Sequence, residues 1–213
     1  HIRKLVPMEK ELTALVVGLG NREVTPDALG PDVVSNLRIT RHVIQEYGVQ
    51  SMGREYANSI SGLVPGVMAQ TGMETLEIIK GVVDETKPDV VFAVDALAAR
   101  STKRLNRTIQ ITDTGINPGS GVGNHRNGLS EETLGVKVIG IGVPTVVDAA
   151  TIVQDSMAHL LDTLEESEKK EFLEEMIAPS LHSMFVTPKD VDETVKRLSY
   201  TISEGLNMAF EQA

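Results

Sequence analysis

Two aspartates stand out by their surroundings: Asp27 in V-T-P-D-A-L-G-P and Asp95 in F-A-V-D-A-L-A-A-R. Each follows an apolar run that reads as a buried strand and precedes a helix-like stretch. That places both at the carboxyl ends of sheet strands, where open α/β sheets keep their sites. Two carboxylates on one rim can perform acid/base chemistry, because proximity drives their proton affinities apart and one stays protonated while its neighbour ionises. The pairing points to a hydrolase. Asp113, at the end of an alternating segment 108–112, is the natural third acid, and Asp148 follows another apolar run. The competing reading of each is structural, as an Asx turn or helix cap, and Asp27 behind Thr25 and Pro26 carries the signature of a helix start.

Other motifs are weaker. Gly18-Leu19-Gly20-Asn21 follows a strand, yet Glu23 stands where a dinucleotide fingerprint needs its third glycine. The loop 113–124, D-T-G-I-N-P-G-S-G-V-G-N, holds four glycines and could contact substrate or cradle an anion around Gly119, Ser120 and Gly121. It lacks the Gly-Lys-Ser/Thr ending of a phosphate loop, and no strand runs directly into Ser120 as a nucleophile elbow requires. None of the five histidines forms an H-x-x-x-H pair or an H-E-x-x-H helix.

The elements that must position these residues follow from periodicity. Apolar runs at 12–17, 90–94 and 136–143, with the alternating segment 108–112, read as strands. A helix is expected from near Thr71 to before Lys87-Pro88, with Met73, Leu76, Ile79 and Val83 on one face. Further helices are expected over 96–106, after Pro144 with Thr145 as cap, over 165–176, and behind Thr187-Pro188-Lys189-Asp190, where Val191, Val195, Leu198, Ile202 and Leu206 form the apolar face. Residues 48–61 are polar and fit no element. Strand and helix alternate, which favours right-handed crossovers and a mainly parallel central sheet flanked by helices, an α/β fold. The expected organisation is one domain over 1–213, with a C-terminal helical portion about 145–213.

Composition narrows the function. A net charge of −10 argues against a nucleic-acid backbone binder and against a polybasic membrane anchor, and no apolar run approaches the ~18 residues of a membrane span. A basic or neutral polypeptide partner fits better. With no cysteine, thiolate catalysis, disulfides and cysteine-based zinc sites are out. Aromatics are only 3%, so Val, Ile, Leu, Ala and Met must fill the core, as in sheets covered on both faces. The first residue is His1 rather than Met, which points to a processed, truncated or partial product.

Six longer stretches resemble the spore germination protease family: G-L-G-N-x-x-V-T-P-D-A-L-G-P at 18–31, P-G-V-M-A-Q-T-G-M-E-T at 65–75, D-A-L-A-A-R at 95–100, I-T-D-T-G-I-N-P-G-S-G-V-G-N at 111–124, G-V-P-T-V-V-D-A at 142–149 and V-T-P-K-D-V-D at 186–192. The resemblance implies an endopeptidase of spore-forming bacteria that degrades small acid-soluble spore proteins during germination. It implies a zymogen, a homotetramer, and a cytoplasmic location in the spore core, with no nucleic-acid or membrane partner. The family is an atypical aspartic peptidase whose two essential aspartates match Asp27 and Asp95, and its fold resembles that of hydrogenase maturation proteases. No cofactor is expected, a divalent metal between the carboxylates being the alternative; a non-catalytic peptide-binding module is the other. The family cuts behind an acidic residue, for which Lys103, Arg104 and Arg126 are candidate partners. The connection at 159–163 is shorter than the family's. In the expected mechanism Asp27, at a helix start, is the base and Asp95 holds the proton.

Overall fold

A computed structural model describes residues 1–6, 11–53, 55–119, 127–157 and 179–211. In chain order the elements are α1 (Ile2–Leu5), β1 (Thr13–Gly18), a 3₁₀ turn (Thr25–Asp27), α2 (Leu29–Ser35), α3 (Arg41–Tyr47), β2 (Ser59–Leu63), α4 (Met68–Thr71), α5 (Thr75–Thr86), β3 (Val90–Ala99), β4 (Gln110–Thr112), α6 (Glu131–Leu134), β5 (Lys137–Asp148), α7 (Ala149–Ser156), β6 (Phe185–Val186) and α8 (Val191–Glu211). The described residues also form 3₁₀ turns at Val49–Met52, Thr102–Arg104 and Pro179–Ser183.

The strands form one sheet in the order β2-β1-β3-β5-β4, with β6 paired to the end of β5. β2, β1, β3 and β5 are mutually parallel, whereas β4 and β6 run antiparallel to β5. The continuous apolar runs of β1 and β3 follow from burial on both faces. Alternate residues serve two cores: Val16, Phe92 and Ile141 pack with Leu29 of α2 and Leu206 of α8, while Leu15, Val17 and Val91 pack with Ile79 and Val83 of α5. Phe92 and Phe210 meet edge to face at 5.5 Å. The mainly parallel α/β expectation therefore holds, and the apolar face read for the last helix is the buried one.

Several local expectations are corrected. The stretch 96–106 is not a helix: β3 continues through Asp95 to Ala99. D-A-L-A-A-R has helix-forming composition, but ladder bonds to the long β5 override that weak preference. Nor does a helix capped by Thr145 follow Pro144. β5 runs on to Asp148, and the register slips there, Leu97 facing Pro144 and Ala98 facing Val146, so Thr145 is the extra residue of a bulge that accommodates the proline. The cap of α7 is Asp148, whose Oδ1 accepts the Thr151 N–H at 2.6 Å.

The helix expected from near Thr71 starts at Thr75. Gly72, at φ +71°, ends α4, and Glu74 with Glu77 forms a capping box for α5. Within 48–61 the chain forms a 3₁₀ turn and the start of the edge strand β2, too short and polar to stand out. Because β5 ends at Asp148 and β6 joins it, the portion 145–213 is not wholly helical. The helix expected at 165–176 lies outside the described residues.

Candidate active site

β1 stops opposite Val94, and the chain then wraps around that point of β3. The Leu19 N–H donates to the Val94 carbonyl at 2.8 Å, and Gly20 turns the backbone at φ +113°. Asn21 N–H donates to Asp27 Oδ2 at 2.7 Å, and the Asp27 N–H reaches the Val24 carbonyl at 2.8 Å. Asp27 thus stands, half-buried, in its own 3₁₀ turn with Pro26 inside it, two residues before α2 begins. The helix-start reading was close, yet the dipole of α2 does not begin at Asp27.

The glycines of this segment serve close packing. A Cβ on Gly20 would lie 2.1 Å from the Asp27 carbonyl oxygen, and one on Gly30 would lie 2.3 to 2.6 Å from backbone atoms of Leu19 and Val94. Only bare backbone lets α2 enter against the ends of β1 and β3. This close approach accounts for the glycines without a nucleotide.

Asp95 is the residue after Val94 and only 4% exposed. It is in register with Gly142 of β5, which in turn faces Gln110 of β4. A Cβ on Gly142 would collide with the Leu97 side chain at 2.3 Å, so the glycine leaves room for Leu97 on that face. Beyond Asp95 the strand borders a cavity of about 600 Å³, which is also lined by Pro144, Thr145 and Val146 of β5 and Gln110 of β4. Both Asp27 and Asp95 line it, together with Ala96, Ala98, Arg100 and Arg104. The two expected aspartates therefore line one cavity, Asp27 from the turn after β1 and Asp95 from within β3.

Asp113 is not brought to this cavity. Because β4 is antiparallel, Gln110 lies at the cavity end of β5 while Thr112, paired with Gly140, leads Asp113 exposed toward the opposite rim. A strand-end position marks the site only for strands running with the parallel set. Gly119 does line the cavity; Ser120, Gly121, His125, Arg126 and His159 lie outside the described residues. Of the two described candidate cations, Arg104 lines the cavity and Lys103 does not.

Residues that sequence reasoning missed include Arg100, Gln110, Asn117, Phe185 and Thr187, all on the cavity wall. Arg100 was in view, at the end of a quoted motif, but a helical reading of 96–106 hid its direction. Thr187 Oγ1 donates to the Thr145 carbonyl at 2.9 Å, tying the segment after β6 to the bulge. Below the far end of β3, Asp155 Oδ2 accepts the Thr102 N–H at 2.6 Å, the Thr102 hydroxyl at 2.7 Å and the Ser101 hydroxyl at 3.0 Å. The Thr102 bonds, foremost among these, hold the Asp155 carboxyl below its ordinary value.

Among the described residues no three of His, Asp or Glu gather so as to hold a metal ion, and no helix is long and apolar enough to cross a membrane.

The germination protease family model matches residues 2–164 and 159–213. The germination protease of Caldanaerobacter subterraneus subsp. tengcongensis is 48% identical, covering 99% of this chain and 69% of that protein. Those of Clostridium tetani and Bacillus subtilis are 46% and 42% identical, covering 98% and 96% of this chain and 69% and 68% of theirs. Among solved structures, the [NiFe] hydrogenase maturation protease HycI from Thermococcus kodakarensis matches at TM-score 0.44 and 17% identity, covering 96% of this chain and 97% of that one. The hydrogenase maturating endopeptidase HybD from E. coli matches at TM-score 0.31 and 17% identity, covering 73% and 94%.

Proposed function

The chain belongs to the germination protease family, and from that membership we propose that it degrades small acid-soluble spore proteins through Asp27, Asp95 and a water molecule between them. It is a peptidase, and the open question is which groups cut which bond. The observation that carries the reading is that both motif aspartates line one cavity although they come from separate elements.

The scheme is water attack on the scissile carbonyl. Asp27, steadied by the Asn21 N–H on Oδ2, takes the water's proton, since a donated N–H favours an ionised carboxylate. Asp95, buried, holds a proton, hydrogen-bonds the carbonyl oxygen and then protonates the leaving amine, because burial favours the neutral acid. As the amine leaves, the proton taken by Asp27 replaces the one given by Asp95 across the shared site, so the pair titrates as a unit. Arg100 and Arg104 supply positive charge for the acidic residue expected before the scissile bond.

No step is routed through a metal, and no cofactor enters the scheme. The wider reading places the protein in the cytoplasm of the spore core, as a homotetramer made from a zymogen, without a nucleic-acid or membrane partner.

The test is digestion of a purified small acid-soluble spore protein. Asp27→Asn and Asp95→Asn are each expected to lower kcat by ~10²–10⁴-fold, with thermal unfolding close to wild type. Normal proteolysis by Asp95→Asn would overturn the scheme. Activity lost to a chelator and restored by a divalent ion would replace it with the metal-dependent peptidase, and binding without hydrolysis by the wild-type chain would favour the peptide-binding module.

A further inference from the structure

β3 outruns its neighbour. Gly18 of β1 pairs with Val94, and the Leu19 N–H on the Val94 carbonyl extends that edge by one bond. From Asp95 to Ala99 the strand is in register with β5, and among the described residues no other strand pairs with it there. Backbone groups of successive strand residues face opposite edges, so the set that begins with the Val94 carbonyl continues at Ala96 and Ala98. Among the described residues, no backbone hydrogen bond reaches Ala96 or Ala98 from that side.

This stretch of β3 lines the cavity through Ala96 and Ala98, as do the turn carrying Val24 and Asp27 and residues Pro144 to Val146 of β5. Ala96 and Ala98 are half-buried and carry only methyl groups, so another backbone can approach closely. Val24 and Phe185, also on the cavity wall, are 46% and 40% exposed and offer apolar surface to side chains. A strand edge that the described residues leave unpaired, beside a cleft of this size, is a template for an added strand.

We infer that the substrate polypeptide docks as an extra strand along Asp95–Ala99, its backbone bonded to Ala96 and Ala98, which lays a peptide bond beside Asp95 with Asp27 across from it. The occupant's identity rests on the peptidase reading above. The docking mode rests on the strand edge.

The experiment uses a peptide of about ten residues spanning a cleavage site mapped by the wild-type enzyme, synthesised as a series with one N-methyl group walked along the backbone. Cleavage by wild type and binding to Asp95→Asn are both measured. The expected result is a period of two: methylation at the positions facing the Ala96 and Ala98 carbonyls weakens binding by about tenfold, the scale of one lost hydrogen bond, and interleaved positions change little. In parallel, Ala98→Pro removes the N–H that strand alternation turns away from β5. It should raise KM by a similar factor, whereas Ala98→Gly keeps the N–H and should not.

Uniform sensitivity along the peptide, or a folded Ala98→Pro with unchanged KM, would overturn the inference. Peptide binding that weakens as protein concentration rises would put a second copy of this chain on the edge, and would overturn it too. Alternation in binding together with normal cleavage by Asp95→Asn would keep the docking mode and sink the two-aspartate scheme. Cleavage without alternation would do the reverse.

Discussion

Backbone atoms help to hold Asp27 in place. Its Oδ2 accepts the Asn21 N–H, and the backbone of Gly20, in a region closed to most side chains, passes within contact of its carbonyl and carboxylate. Gly20→Ala would place a methyl group 2.1 Å from the Asp27 oxygen. The turn must give way, and a carboxylate displaced by about 1 Å costs on the order of 10²-fold in rate. The expected outcome is a fall in kcat of that order, measured on the spore-protein substrate. Wild-type turnover in Gly20→Ala would mean that the position of Asp27 does not matter to the reaction. Asp95 is fixed differently, by its place in a ladder, and tolerates no such local escape.

At the scale of elements, the site depends on how far β3 and β5 run past β1. The far end of β3 leads through Ala99 into the 3₁₀ turn Thr102–Arg104, and Asp155 of α7 gathers that turn by three hydrogen bonds from Ser101 and Thr102. The Thr102 bonds depress its carboxyl in the folded state relative to the unfolded chain. A depressed acid contributes stability that is present above its unfolded value, near ~3.9 for aspartate, and is lost as pH falls through the lower folded value. Asp155→Asn should therefore cost stability at neutral pH and flatten the steep acid limb of a Tm-against-pH curve below about pH 4. An unchanged acid limb would show that this clamp carries no charge-dependent stability.

For the whole molecule, the net charge is −10. The positive charge of Arg100 and Arg104 at the cavity is therefore local against an overall negative field. Apolar side chains remain on the outside, Tyr47 at 72% exposed and Tyr200 and Met208 at 59% each, the latter two on the face of α8 turned from the core. Assembly of four chains is the state proposed above. Sedimentation equilibrium is expected to return four chains per particle, and a fully active species of one chain would remove the tetramer from the reading.

What the sequence by itself determined is what short-range pattern can encode. Apolar runs at 12–17 and 90–94 became β1 and the first half of β3, and the apolar face read behind Thr187-Pro188 is the buried face of α8. The motifs around Asp27 and Asp95 identified the family and named two residues that share a cavity. The tertiary structure alone decided that D-A-L-A-A is strand, that Pro144 sits in a bulge within β5, and that β4 turns Asp113 away from the rim to which Asp27 and Asp95 belong. The physical reason is the same in each case. A strand's extent and direction are set by hydrogen bonds to a partner some forty or more residues away for β3 and β5, and helix preference at Ala and Leu is too weak to resist them.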